Sequence, residues 1–375
     1  MPGSNVFPDG LHTMNSTRPS PVDDQGNPIR AIGMLSGGLD STIAAKLMAG
    51  MGIQVHGVNF STGFCLTDHH RAMAKYDPES PDARRLRNEA LRAGVDVQVP
   101  VQIVDIAEEY MREVVLEPRY GRGQGMNPCI DCRIFMLVKA REMMSDLGAH
   151  FVFTGEVLGQ RPMSQHMQAL NMIEEQAGLK GLLLRPLSAR FLEPTIPEQK
   201  GWVDRDQLLD IQGRSRKVQM GLAEGYGIDD YPQPAGGCCF LPDLNFSERL
   251  QDTFAHIEDR TRLTREDMLL LKVGRHFRLP SGVKVIVARD AGENAFIQGL
   301  SEGRWTLQVV DHGSPITLVD AEAGDEDLQR AAELTARYSQ GREEARVRVR
   351  LVLGDTERVI EVTPADPATT NPMMI

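Results

Sequence analysis

The chain has 375 residues, which at ~150 residues per domain suggests two or three domains, long enough to bury a core without staples. Its formal net charge of −11 argues against a generic nucleic-acid binder, because such affinity rests on neutralising phosphates. Five cysteines are too few and scattered for a disulfide scaffold, no apolar run approaches the ~18 residues of a membrane helix, and residues 1–29 lack the apolar core of a secretory signal, so a cytoplasmic protein without a membrane partner is expected.

Residues 1–29, rich in Pro, Ser, Asn and Gly without periodicity, read as a flexible tail, and order is expected from Arg30. Ala31–Leu35 is a short apolar strand, Ser36–Leu39 a glycine turn, and Asp40–Met51 a helix. Gln54–Phe60 reads as a second strand, Pro81–Gly94 as a helix stopped by its glycine, and Val101–Asp105 as a third strand. A helix over Arg133–Leu147 and a strand over His150–Thr154 follow. Strands alternating with helices predict an open, mostly parallel α/β sheet with helices on both faces over residues 30–262.

The character changes near Asn245. Ser247–Ile257, Arg265–Leu271 and Asp325–Tyr338 look helical. Val283–Val287, Arg304–Val310 and Ala345–Leu353 look like strands, the last alternating Arg with apolar residues at period two. Residues 263–375 are therefore expected to form a smaller α+β domain, with Pro364–Ile375 as a frayed loop.

The strongest signal is Ser36-Gly37-Gly38-Leu39-Asp40-Ser41 between a strand and a helix. Amides at a glycine turn and helix N-terminus point outward together and cradle a phosphate, while Ser36 and Ser41 add hydroxyl donors. Asp40 would repel a bare phosphate, and a bound Mg²⁺ between the two resolves this. The pattern is neither a Walker loop nor a G-x-G-x-x-G fingerprint. The bland alternative is a plain strand-to-helix turn, which a lone S-G-G would favour. Asn59-Phe60 and Thr154-Gly155 end two further strands, where an open α/β fold binds its ligands.

Cys129-Ile130-Asp131-Cys132 enters a predicted helix, a placement that favours thiolates through the helix N-terminus. A redox dithiol, half a zinc site and part of an iron–sulfur site are all sensible readings. Cys238-Cys239 supplies more sulfur. Adjacent cysteines rarely both face one metal, so three thiolates with one open position are expected rather than four. Cys65 reads as a bystander.

The six-residue turn resembles the PP-loop of the N-type ATP pyrophosphatases. Together with the C-x-x-C and the later Gly236-Gly237-Cys238, it resembles the tRNA thiouridylase branch of that superfamily over residues 30–262. Gly155–Ser164, Leu184–Ser188 and Gly213–Lys217 are similar to a sulfur-transfer subgroup within it. The resemblance implies ATP bound by Ser36, Gly37, Gly38, Asp40, Ser41, Asn59, Phe60, Thr154 and Gly155, with Mg²⁺. A uridine carbonyl oxygen would attack the α-phosphate and pyrophosphate would leave. It further implies an iron–sulfur cluster, of the four-iron, four-sulfur kind, held by Cys129, Cys132 and Cys238, with Cys239 as the alternate third ligand because Cys239-Phe240 matches the 2-thiouridylase ending. A cluster-bound hydrosulfide, or a persulfide on one of these cysteines, would then deliver sulfur and release AMP. Inorganic sulfide or a cysteine desulfurase system would be the donor. Some thiouridylases of this fold act as dimers, so a homodimer lies within the resemblance.

Residues 271–289 hold five basic side chains and no acidic one, whereas 311–345 hold nine acidic residues against three arginines. Val273–Arg278 resembles the opening of the RNA-binding module of the NFACT family. Lys272, Arg275 and Arg278, together with Arg214, Arg216 and Lys217 near the glycine turn, are thus the expected tRNA contacts. A solvated basic face is the plain alternative for either cluster. Two other functions compete: a PP-loop sulfur transferase or amidating ligase for a small molecule, with zinc on the cysteines, and a non-catalytic RNA-binding or metal-sensing protein.

Overall fold

The computed structural model describes residues 20–75, 87–232 and 238–375. The expected tail up to residue 19, the start of the Pro81–Gly94 helix and the Pro234–Gly237 segment lie outside them. The chain forms two compact units. One comprises the described residues up to Gly63 with Arg87–Cys238, the other those from Phe64 with Cys239–Ile375. The segment from Phe64 and residues 239–262 thus join the second unit rather than the first. Within that unit, Phe64 packs edge-on against Phe246, with ring centroids 6.1 Å apart.

The first unit is built on a parallel sheet of β1 (Arg30–Met34), β2 (Gln54–Ser61), β3 (Val101–Asp105), β4 (Phe151–Thr154) and β5 (Leu183–Leu184), in the order β3-β2-β1-β4-β5. Successive β1 side chains serve opposite faces. Ala31 joins one core cluster with Ile43 and Leu47 of the helix Leu39–Gly50, and Ile32 joins another with Leu137 of the helix Cys129–Leu147. Burial on both faces is what a parallel sheet covered by helices requires, and the expected fold class is observed. β1 is flanked by β2 on one side and β4 on the other, so the strand order reverses between β1 and β4. That reversal is the switch point where open α/β sheets bind ligands at their carboxyl ends.

Order starts earlier than Arg30. Asp23 Oδ1 accepts from the Gln25 and Asn27 amides at 2.9 and 2.8 Å, closing a turn that leads Ile29 into the core. The helix expected to stop at Gly94 is Glu89–Val97. Asn88 caps it, accepting from the Ala90 and Leu91 amides, and Gly94 is buried inside it.

The second unit carries an antiparallel sheet of β6 (Arg275–Arg278), β7 (Lys284–Val287), β8 (Arg304–Val309), β9 (Thr317–Asp320), β10 (Val347–Leu353) and β11 (Thr356–Val362), ordered β11-β10-β8-β9-β7-β6. Val347, Val349 and Leu351 of β10 are buried with Leu328, Ala331 and Ala332 of the helix Asp325–Arg337, while Arg348 and Arg350 face outward. The period-two pattern thus runs as expected. The C-terminal segment is no loose loop: Pro367–Thr370 is helical, and the Ile375 amide donates to the His276 carbonyl at 3.0 Å. Among the described residues, no helix is long and apolar enough to cross a membrane.

Candidate active site

The glycine turn leaves β1 and starts the helix Leu39–Gly50. Gly37 has a φ of +78°, and a Cβ there would lie 2.4 Å from the Glu89 backbone, so the turn is both left-handed and pressed against its neighbour. Arg92 holds it from outside, donating from Nη2 to the Gly37 carbonyl at 3.1 Å. The N-cap is Gly38, which has no side chain to cap the helix, so the first-turn amides are available to an anion. Ser36 Oγ and Ser41 Oγ lie 3.2 Å apart, and Ser41 donates to the Gly38 carbonyl at 2.9 Å. At the end of β4, a Cβ on Gly155 would lie 2.4 Å from the Ser41 amide nitrogen, so the Thr154-Gly155 corner packs directly on the turn.

Asp40 sits at this junction. Its Oδ2 accepts from Gln160 Nε2 at 3.1 Å and faces Arg216 Nη2 at 3.5 Å. Its Oδ1 is buried and finds no hydrogen-bond partner among the described residues. A buried, unmatched carboxylate oxygen beside open amides is costly unless something binds there, and it suits a divalent cation escorting a phosphate chain. Asn59 acts as a strut, donating from Nδ2 to the Leu35 carbonyl at 2.8 Å, while Phe60 packs on the core cluster around Val152.

The thiols are linked to this corner through charge. Glu156, 4% exposed, accepts from Thr154 Oγ1 and from Arg185 Nε, both at 3.2 Å. Its other oxygen faces Arg133 Nε at 3.5 Å. Arg133 follows Cys132 in the helix, and its guanidinium interacts electrostatically with Glu156, Cys132, Cys238 and Cys129. Sequence reasoning missed Arg133; its position one residue past the C-x-x-C was the available signal.

Cys129 and Cys132 occupy the first turn of their helix, as expected, but they are not thiolate-prone there. Burial pushes the Cys132 thiol up to about 12, against the opposing pull of Arg133, and it raises Cys129 as well, against Arg133 and Arg161. Desolvation outweighs the helix terminus. Cys238 is exposed and couples electrostatically to both. Cys239 instead pairs along the backbone with Cys65 in the second unit. Among the described residues no group of three or more His, Cys, Asp or Glu is arranged to hold a metal ion.

The basic stretch 271–289 is largely consumed inside the second unit. Lys272 is 8% exposed, and burial brings its ammonium down to about 8. Arg278 pairs with Asp252 and donates to the Gly282 carbonyl at 2.6 Å, while Lys284 donates to Thr253 Oγ1 at 2.6 Å. Arg275 stacks 4.7 Å over Tyr338. Lys272, Arg275 and Arg278, expected as RNA contacts, are thus engaged within the unit. Of the other cluster, Arg214 and Lys217 are exposed and Arg216 leans on Asp40.

A parallel sheet whose first strand–helix turn is a glycine cradle, braced at the switch point by a Thr-Gly corner, defines the PP-loop class of α/β proteins. Residues 30–179 match the family described as the tRNA methyl transferase HUP domain, and residues 274–373 match the NFACT protein RNA binding domain. The chain combines these two domain types. Among its relatives, the tRNA-specific 2-thiouridylase MnmA of Rhizobium leguminosarum bv. trifolii is 26% identical over 332 residues, covering 81% of this chain and 77% of that protein. The protein of the same name from Acidothermus cellulolyticus is 28% identical over 232 residues, covering 60% of this chain and 58% of that protein. The chain thus spans less than two thirds of the Acidothermus protein it matches. A solved 4-thiouridine synthetase–RNA complex with bound ATP aligns with a TM-score of only 0.29 and 18% identity, over 53% of this chain and 52% of that one, too low to carry an argument.

Proposed function

We propose that the protein is an ATP-dependent tRNA uridine sulfurtransferase, forming thiouridine, AMP and pyrophosphate. The observation that carries this reading is Arg133, whose charge reaches the three thiols while it pairs with Glu156 at the corner packed on the glycine turn. A nucleotide cradle and a sulfur site joined by one guanidinium suit a reaction that activates an oxygen and then replaces it with sulfur.

ATP would lie along residues 36–41, with the open amides and the two serine hydroxyls on its phosphates. Asp40 would hold Mg²⁺, which supplies charge neutralisation at the pyrophosphate. The uridine carbonyl oxygen attacks the α-phosphorus, the bond to pyrophosphate breaks, and the oxygen becomes a good leaving group. Amides and Arg216 stabilise the developing negative charge.

No step is assigned to iron; a persulfide on Cys238, which couples electrostatically to Cys129 and Cys132, is taken as the sulfur carrier. Cys238, the exposed thiol, would attack the outer sulfur of a persulfide on a desulfurase-type donor, taking that sulfur as its own persulfide while the donor thiol leaves. Its terminal sulfur attacks the activated carbon. Cys129 or Cys132 then attacks the inner sulfur, forming a disulfide as AMP leaves, and an external thiol restores the pair. Arg133 lowers the cost of each anionic sulfur. The reaction is assigned to the cytoplasm, with tRNA as the partner of both units.

Nucleoside mass spectrometry of tRNA from a deletion strain is the decisive experiment, and loss of one thiolated uridine is expected. Survival of every thiouridine, without a redundant enzyme, overturns the proposal and favours the small-molecule transferase. Protein purified anaerobically is expected to be iron-free and active; iron-dependent activity would return the cluster.

A further inference from the structure

Cys65 and Cys239 are not used by the mechanism above, yet they lie opposite each other on an antiparallel bridge within the second unit. The Phe240 amide donates to the Phe64 carbonyl at 3.0 Å, a bond that flanks the bridge rather than joining the two cysteines. Cys65 and Cys239 are therefore a non-hydrogen-bonded pair, the kind in which Cα atoms are only ~4.5 Å apart and side chains are closest. That spacing falls inside the ~4.4–6.8 Å window of disulfides.

The two bridged segments are pinned on either side. Phe64 is buried against Phe246, and Phe240 lies 5.6 Å from Phe246 and 5.1 Å from His69 between ring centroids. Buried Lys272 sits 5.3 Å over the Phe240 ring and interacts electrostatically with both Cys65 and Cys239. Both cysteines are partly exposed and thus reachable by a small reagent.

We propose that Cys65 and Cys239 form a second thiol site, chemically separate from Cys129, Cys132 and Cys238, that closes to a disulfide by exchange with a low-molecular-weight disulfide. One cysteine sulfur attacks the reagent RSSR, forming a mixed disulfide and expelling RS⁻. The other cysteine loses its proton and attacks that mixed disulfide, forming the Cys65–Cys239 bond and expelling the second RS⁻. Two electrons and two protons pass from the pair to the reagent, which leaves as two RSH. Because Cys239 follows Cys238 in the chain, closure fixes the backbone one residue from the proposed sulfur carrier.

The test treats the full chain with oxidised glutathione, quenches with acid, alkylates the remaining thiols, and maps peptides by mass spectrometry. A Cys65–Cys239 cross-linked peptide, abolished by dithiothreitol, is expected as the dominant product involving either residue. The wild-type protein decides this without a variant. In Cys65→Ser, Cys239 is expected to stop at the glutathione mixed disulfide. Cross-linking of Cys239 to Cys129 or Cys132, or stable glutathione adducts on both Cys65 and Cys239 of the wild type, would overturn the proposal.

Discussion

In the first unit, Asp40 gives one carboxylate oxygen to Gln160 and Arg216 and keeps the other buried without a partner among the described residues. In the second, Asp252 receives Arg278, Lys284 and His256, and Lys284 is further anchored to Thr253. Both carboxylates are mostly withdrawn from water. One network is closed among its own side chains and the other is left incomplete. A closed network accounts for its own desolvation and marks structure, whereas an incomplete one beside open helix amides marks a place for a ligand.

The sharpest way to break this contrast is Asp40→Asn, which keeps the shape and removes the charge. Pyrophosphate release in the presence of tRNA is expected to fall ~10²–10³-fold, the scale for losing one preorganised electrostatic group. The melting temperature should hold, because Asn keeps an acceptor for Gln160 and the other carboxylate oxygen has no match among the described residues. A loss of activity below about tenfold would mean the unmatched oxygen is incidental.

Asp252→Ala should do the reverse. It strands Arg278 and Lys284 in a mostly buried setting, for a cost of about 3 kcal/mol in unfolding free energy, read as a lower urea midpoint. ATP binding to the folded protein should be unchanged. A cost under about 1 kcal/mol would place this network with ordinary surface pairs.

A third measurement uses pH. Burial lowers the Lys284 ammonium from its ordinary value to about 8, although Asp252 pulls the other way. The unfolded chain therefore binds more protons than the folded one between about 8 and the ordinary lysine value of 10.5, and unfolding free energy should rise with pH across that window. Lys272, also lowered to about 8, adds to the same slope. Lys284→Met should flatten the rise without abolishing it; an unchanged slope would show that the ammonium is solvated.

Much of this was legible in the sequence, and the failures have a common cause. Apolar patterning announced both sheets' character: the continuous apolar run through Ala31 and Ile32 reports a strand buried on both faces, and the Arg348/Val349 alternation reports one buried on a single face. The glycine turn was readable because its requirements are local, a left-handed Gly37 and an uncapped helix start. Charge was misread where its partner is distant in sequence. Nothing near Arg278 announces Asp252, and nothing near Cys132 announces Glu156 or the burial that outweighs the helix terminus. Arg216 illustrates the same point, read as an RNA contact but leaning on Asp40.

The smallest expected effect concerns where RNA would meet the second unit once the 271–289 stretch is discounted. Arg350 projects from the open face of β10, between Gln308 on β8 and the exposed Val359 on β11. Its guanidinium has no hydrogen bond or ion pair among the described residues, whereas its neighbour Arg348 is matched by Asp311 at 2.8 Å. An unmatched guanidinium on an exposed strand is free to take a phosphate; a matched one must first give up its carboxylate. Arg350→Glu should therefore weaken tRNA binding several-fold and make its dependence on salt shallower by about one counterion. Arg348→Glu should weaken it less, and Arg275→Glu should act through stability by losing its stack on Tyr338. Filter binding at three salt concentrations, alongside urea melts of the same variants, separates the three. If Arg275 and Arg350 shift affinity equally at unchanged stability, both faces of the unit contact RNA and the distinction between closed and open charge fails there.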